Sequence, residues 1–407
     1  MIFKTPSFHF LITLFLLTIS YNDITCLSFP LTINPFPNDN SHLHFPFRQL
    51  KSKYHLIEVI PSDYCRFLIE ICLSTDSNCY KFKLTTKFPE LRLQSNTHLP
   101  VKFKGMNSIE QGTASEVEIS NSEYEYGLVV VDSIYISEFH IEKFPFVYIS
   151  KPSDNKNYIG ELGLGYLYQT TKSNVYKNKM SVIEALYENG YIDKRIFFIK
   201  LTSLHQGEFG VGNYPTEYTK DNSNIIRACK LMKYSFYSDD YSVLKEPIEN
   251  EQFECRLNAV YFENNDNDNF MFYSTRTQEA KRVLVNLSAN VIFAALDFFE
   301  YMINNLFKTY IEKQVCVVKK LSEFGYVTCQ YEKLDEEFLN KEITFMFGKW
   351  SMKMVIKNLF YENELFMICK REGVDRWEFG YPLFLHYIVV FDKEEGELVL
   401  IKNNLFE

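Results

Sequence analysis

The chain has 407 residues, with 52 acidic against 43 basic side chains and a formal net charge of −9. Its 46% hydrophobic and 16% aromatic content can bury enough surface to offset the entropy of ordering, which excludes a disordered chain. The acidic balance, with no run of five Lys or Arg, argues against a nucleic-acid partner.

Length implies two to three packed units, because single cores stop growing near ~250–300 residues. From the N-terminus, Lys4 precedes a 13-residue apolar run from Phe8 to Ser20. That is too short for a membrane span, which needs ~20 residues, and it sits where a secretory signal sits. Residues 1–26 are therefore expected to be a signal peptide. Later in the chain Val283 to Phe299 is the most apolar stretch, but Asn286, Asn290 and Asp297 interrupt it. The expectation is a secreted, soluble, monomeric protein with no membrane contact once the signal is removed.

Residues 27–54 carry Pro30, Pro35, Pro37 and Pro46 without clear periodicity, and read as an extended leader or the remnant of a propeptide. Strands dominate beyond them. Phe67–Leu73, Tyr80–Thr85, Leu128–Ile136, Arg195–Leu201, Arg282–Val285 and Tyr387–Phe391 all have the β-branched and aromatic bias of strands. Helical periodicity is confined to two places. Met180–Tyr191 aligns Val182, Ile183, Leu186 and Tyr187 and stops at Asn189-Gly190. Phe293–Phe307 aligns Leu296, Phe299, Ile303 and Leu306.

Once Cys26 leaves with the signal, eight cysteines remain: Cys65, Cys72, Cys79, Cys229, Cys255, Cys316, Cys329 and Cys369. An even number in an oxidising compartment favours disulfides, and no C-x-x-C, H-E-x-x-H or paired Cys/His spacing suggests a metal. Cys72 and Cys79 flank the turn-rich STDSN and are expected to face each other across a hairpin. No metal and no cofactor are expected. His42 and His44 read as residues of a solvated arm. No G-x-S-x-G elbow, G-x-G-x-x-G or P-loop occurs.

Four stretches in a fixed order carry a resemblance. They are IGELGLGY from Ile159 to Tyr166, RIFFIKL from Arg195 to Leu201 followed by GEFGVG from Gly207 to Gly212, WEFGYPLFLHYIVVFDK from Trp377 to Lys393, and GELVLI from Gly396 to Ile401. Together they resemble the pepsin-like aspartic proteases. The resemblance implies a mostly-β, bilobal fold with a few short helices, its N-terminal lobe at 55–198 and its C-terminal lobe at 199–407. It also implies a disulfide between Cys329 and Cys369, and it places Ile119 in the flap and Gly160 and Gly380 at the binding cleft.

The family's chemistry needs two carboxylates that share one proton, each from an Asp-Thr/Ser-Gly loop. No such tripeptide occurs in the chain. The resemblance aligns the first loop with LTTKFPELRLQS, Leu84 to Ser95, and the second with VLVNLSANV, Val283 to Val291. Thr85 and Asn286 then stand where the aspartates should, while Lys87 and Ser288 replace the glycines. A threonine does not ionise in the working range, and an amide cannot exchange a proton. The flap motif is absent from Val117 to Gly127, and Ile119 or a neighbour stands at its tyrosine. Asp132, Asp297 and Asp392 read as strand-edge, helix-surface and turn carboxylates. Asn286-Leu287-Ser288 is also a glycosylation sequon, in a loop expected at the floor of a cleft. These residues imply an inactive protease-like protein that binds an extended peptide or protein between its lobes. Two alternatives stay open: an endopeptidase using other groups, and a structural protein with a closed cleft.

Overall fold

This computed structural model describes residues 27–34, 66–73, 79–86, 88–94, 114–120, 123–137, 139–149, 160–165, 180–203, 206–219, 225–230, 233–236, 248–251, 253–262, 270–272, 282–321, 324–361, 365–371 and 376–404. The signal, most of the proline-rich arm with His42 and His44, Cys65 and Lys87 lie outside them, as do the side chains of Ile119, Asp132 and Cys229.

The chain is mostly β. Strands of the first half are β1 (Leu27–Asn34), β2 (Arg66–Leu73), β3 (Cys79–Thr85), β4 (Leu91–Gln94), β5 (Ala114–Ser120), β6 (Glu123–Ile136), β7 (Phe139–Ile149) and β8 (Gly160–Gly163). Helix α1 (Val182–Glu188) then leads into β9 (Ile196–Leu201) and β10 (Gln206–Val211). Next come β11 (Ile225–Lys230), β12 (Lys233–Phe236), β13 (Ile248–Glu251), β14 (Glu254–Arg256), β15 (Ala259–Phe262), β16 (Phe270–Phe272), β17 (Arg282–Val285) and β18 (Ile292–Phe293). Helices α2 (Leu296–Asn305) and α3 (Lys308–Glu312) precede the hairpin of β19 (Cys316–Leu321) and β20 (Phe324–Cys329). The chain closes through α4 (Glu336–Leu339), β21 (Glu342–Phe347), β22 (Trp350–Val355), β23 (Phe360–Tyr361), β24 (Leu365–Arg371), β25 (Trp377–Phe379), α5 (Tyr381–His386), β26 (Tyr387–Asp392) and β27 (Glu397–Lys402).

One 13-stranded sheet runs β11-β27-β26-β9-β10-β1-β2-β3-β8-β4-β7-β6-β5, and an extra β2–β6 pairing curls its far end. Strands from both ends of the chain therefore share one sheet, and the lobe boundary expected at 198/199 falls inside β9. The segment expected as an extended leader begins with a strand. Leu27–Asn34 pairs with β10 on one side and β2 on the other. Pro30 is accommodated there because it faces β10 alone: β2 pairs only with Thr32, Ile33 and Asn34, so the N–H that proline lacks is not needed on both sides. A second sheet, β14-β17-β25-β18-β24-β20-β19, and a four-stranded one, β16-β15-β21-β22, carry further core strands, and β12 pairs with β13.

The two expected helices form, each shorter than its pattern. Ser181 caps α1, its hydroxyl accepting from the Glu184 amide, and Gly190 takes the left-handed φ of +70° that ends it. Helix α2 begins three residues late because Phe293 belongs to β18. Its buried residues are Phe298, Phe299 and Met302, with Leu306 buried at its end and Ile303 partly buried against the core. Phe298 packs on Trp377 at 4.8 Å between ring centroids. One apolar cluster joins residues of both halves, from Phe67 and Leu84 to Phe253, Val285, Phe379 and Leu400.

The cysteines correct one expectation. Cys316 and Cys329 face each other across the β19–β20 hairpin, with Cα atoms 4.0 Å apart, and are bonded. Cys369 stands opposite Tyr326 on β24 and is a buried free thiol, so the Cys329–Cys369 bond does not form. Register decides this: Cys369 is three rungs away from Cys329, beyond the ~4.4–6.8 Å Cα reach of a disulfide. Cys72 and Cys79 are bonded across the β2–β3 hairpin, Cα to Cα 3.9 Å, and Cys255 is disulfide-bonded as well. Burial pushes the Cys369 thiol up, far from reactivity.

Two outcomes follow for measurement. Peptide mapping without reduction should recover a Cys316–Cys329 cross-link, and Cys369 should resist alkylation until the chain is unfolded; a Cys329–Cys369 peptide would contradict this register. Replacing both Cys316 and Cys329 by Ser should cost about 3 kcal/mol in unfolding free energy, the loop-closure value for so short a loop.

Candidate functional site

The two loops aligned by the family pattern are built alike. In the first half β3 runs parallel to β8, which is antiparallel to β4, with Lys83 opposite Glu161 and Thr85 opposite Gly163. In the second half β17 runs parallel to β25, which is antiparallel to β18, with Leu284 opposite Glu378 and Val285 opposite Phe379. Thr85 thus corresponds to Asn286, Lys83 to Leu284, Glu161 to Glu378 and Gly163 to Gly380.

Glycine is needed where the third strand crosses. A Cβ on Gly163 would lie 2.5 Å from the Glu90 carbonyl, and one on Gly380 would lie 2.5 Å from the Val291 carbonyl. Gly160, expected at the binding cleft, is buried against the Arg92 carbonyl and the Phe82 ring. Gly160 and Gly380 therefore serve close backbone approach.

The loops meet. Thr86 Oγ1 donates to the Val285 carbonyl at 2.9 Å, a buried bond between residues 199 apart in the chain. Thr85, next to it, is fully buried, and its carbonyl accepts from the Leu164 amide at 2.8 Å. Asn286, beside Val285, is 2% exposed. Thr85 and Asn286 are thereby brought onto two loops joined by one hydrogen bond.

Every polar atom of the Asn286 amide is engaged. Its Oδ1 accepts from the Ser288 amide at 2.9 Å, and its Nδ2 donates to Glu378 Oε2 at 3.0 Å. Its backbone N–H donates to the Phe379 carbonyl at 3.0 Å. The sequon asparagine is thus enclosed in the loop floor. Glu378 is itself 2% exposed and lies 3.8 Å from Arg376, whose guanidinium also contacts Glu254, 1% exposed. Buried carboxylates survive only when paired. Asn286, Glu378, Arg376 and Glu254 accordingly form one connected chain, in which Arg376 Nε is buried without a hydrogen-bond partner among the described residues.

The first loop has its own charged ladder. Lys83 Nζ lies 3.8 Å from Glu161, and Arg92 donates to Glu90 Oε1 through Nε at 3.0 Å and Nη2 at 2.7 Å. The Arg92 guanidinium sits 3.3 Å from the Phe88 ring centroid. Period-2 alternation puts Lys83 on the same face of β3 as Thr85.

Sequence reasoning found Thr85 and Asn286 but missed Thr86, Glu378, Glu254 and Arg376. Only Glu378 had a visible signal, a charged residue directly after Trp377 in the block that carries the resemblance. The other carboxylates stand apart. Asp297 Oδ1 accepts from the Phe298 amide at the start of α2. Asp392 accepts from Tyr214 and, at 2.9 Å each, from the amides of Glu394 and Glu395 in the β26–β27 turn. Among the described residues no group of three or more His, Cys, Asp or Glu side chains is placed to hold a metal.

No family model and no curated protein matches the chain. Among solved structures it is similar to the crystal structure of aspartic proteinase from Irpex lacteus, with a TM-score of 0.59 at 12% identity. The match covers 94% of this chain and 98% of that one. The fold is therefore that of the pepsin-like aspartic proteinases.

Two substitutions test the site. Thr86→Val should cost about 1–3 kcal/mol, because the Val285 carbonyl would be left buried without its donor; an unchanged melting temperature would show that the loops do not depend on this bond. Asn286→Asp would set a second carboxylate against Glu378, and the pair would hold one proton well above the pH at which the unfolded carboxylates release theirs. Native protein then binds more protons than unfolded, so stability falls as pH rises. The variant should match wild type below about pH 4 and lose about 2–4 kcal/mol by pH 7. Asn286→Asp with Glu378→Gln should recover most of it.

Proposed function

We propose that this is a secreted, catalytically inert protein of aspartic-protease fold whose two joined loops floor a groove for an extended peptide or protein segment. The observation that carries the reading is the state of position 286. There the side chain is an amide with its donor on Glu378 and its acceptor on Ser288, so it can neither take nor give a proton. Thr85, on the facing loop, offers only a hydroxyl. General acid–base catalysis contributes about 10²–10⁴ in rate, and both of its carriers are absent from these positions.

Secretion draws support from the apolar N-terminal run and from the Cys72–Cys79 and Cys316–Cys329 disulfides, which persist in oxidising compartments. Among the described residues no helix is long and apolar enough to cross a membrane. Binding draws support from Ser288, whose buried Oγ has no hydrogen-bond partner among the described residues and would gain one from a ligand that displaces what covers it. Extended segments are held by strand-like backbone pairing, which needs no catalytic group.

One observation favours a second reading. Glu378 brings a carboxylate to 3.0 Å from the Asn286 amide, so hydrolysis by a displaced acid has a candidate residue. Its engagement with Asn286 and Arg376 weighs against that use.

The groove is tested by thermal shift of the full secreted protein with an extended transition-state peptide mimic of the aspartic proteases. A saturable rise in melting temperature is expected, and Ser288→Ala should reduce it. No shift at saturating mimic would support the closed, structural alternative.

A further inference from the structure

The second sheet ends on β19, and that strand runs past the layers that cover its neighbour. On β20, Tyr326 and Val327 point to opposite faces and both are fully buried. On β19, Val317 and Val318 also point to opposite faces, yet they are 47% and 42% exposed. Two apolar side chains are thus left in solvent, one on each side of an end strand. The Cys316–Cys329 bond holds the base of this hairpin.

The backbone of β19 has a defined outward set. Cys316 and Cys329 are 4.0 Å apart between Cα atoms, the close spacing of a pair that exchanges no backbone hydrogen bonds; about 4.5 Å is usual, against about 5.5 Å for a bonded pair. One residue earlier the Gln330 amide donates to the Val315 carbonyl at 3.0 Å, as a bonded pair does. Alternation then gives the backbone of Val317 and Lys319 to β20 and turns the N–H and C=O of Cys316 and Val318 outward. Among the described residues no strand lies beyond them. Open ladder groups beside exposed apolar side chains are a template for an added strand.

Charge selects what is added. Strands β19, β20 and β24 contain Lys319, Lys320, Lys370 and Arg371 and no Asp or Glu, in a chain of net charge −9. Register gathers these positions: Lys319 is on the rung of Tyr326 and Cys369, Lys320 on that of Gly325 and Lys370, and Arg371 is one rung further. Lys320 has a contact of its own, which leaves Lys319, on the face of Val317, as the principal cation. Edge lysines also oppose pairing with a second copy, which would bring two such sets together.

We propose that β19 takes up an extended segment of a partner protein as an added antiparallel strand, the segment reading acidic-acidic-apolar-apolar. In that direction the acidic pair comes opposite Lys320 and Lys319, and the apolar pair opposite Val318 and Val317. Each face is then matched: an acid meets Lys319 and an apolar residue two positions on meets Val317, while the other face pairs the same chemistry with Lys320 and Val318. The site lies at the far end of the sheet from β14 and is independent of the groove proposed above.

The test is fluorescence anisotropy of a labelled peptide centred on Glu-Glu-Val-Val, added to the full chain, beside the same peptide carrying Lys-Lys-Val-Val or Glu-Glu-Ser-Ser. The first should bind at least about fivefold more tightly than either. Val318→Pro removes an outward N–H without taking a bond from β20 and should abolish binding, with the Cys316–Cys329 cross-link still recovered by peptide mapping. Lys319→Glu should turn the preference towards the Lys-Lys peptide. Equal binding of the three peptides, no binding of any, or a preference unchanged in both variants would overturn the inference. Self-association of the chain that Val318→Pro abolishes would overturn it too, assigning the edge to a second copy. Displacement of the peptide by the transition-state mimic would place it in the groove, and would also overturn it.

Discussion

The hydrogen bond from Thr86 to the Val285 carbonyl is the contact on which the rest of the molecule turns. It is buried, it joins segments 199 residues apart, and it lies between the two loops that the fold exists to bring together. On either side of it a parallel strand pair is backed by a crossing third strand, admitted only because Gly163 and Gly380 carry no Cβ. The shared 13-stranded sheet and the larger of the two apolar clusters hold the two halves in one body, so the loops meet at a fixed geometry. That scaffold is common to the fold, and what stands at its centre is particular to this chain.

At that centre most of the polar groups are engaged. Glu378 and Glu254 share the one guanidinium of Arg376, Asn286 spends its amide on Glu378 and Ser288, and one oxygen of Glu90 is clasped by Arg92. A shared-proton carboxylate pair is a high-energy arrangement that a protease maintains for chemistry. Here the side chains on the two joined loops are an amide at Asn286 and a hydroxyl at Thr85, and the strands around them carry complementary charges. Glu378 also bears on how the site could have changed: an aspartate at 286 next to this glutamate would be penalised at neutral pH, so the two residues constrain each other.

Much of this was legible in the sequence because it is written in local signals. The glycines of β8 and β25, the Trp377 block and the stop at Gly190 mark the fold, and the motif order places Thr85 and Asn286 where the loops meet. What stayed hidden is set by register between distant strands. The Cys369 thiol misses Cys329 by three rungs, helix α2 starts late because Phe293 is drawn into β18, and Leu27–Asn34 becomes an inner strand only through its pairing with β10 and β2. The Glu378–Arg376–Glu254 chain is of the same kind, since its members are up to 124 residues apart in the sequence and meet only across paired strands.

The central claim is that the fold's proton-sharing pair is absent and nothing replaces it. Incubating the purified protein with a mixed peptide library from pH 3 to 7, beside Thr85→Ala and Asn286→Ala variants, and reading every new terminus by mass spectrometry tests it most directly. The account predicts no cleavage above the level of a buffer control at any pH. Turnover in the wild type that survives both substitutions would contradict it, and would show that other groups carry out hydrolysis on this scaffold.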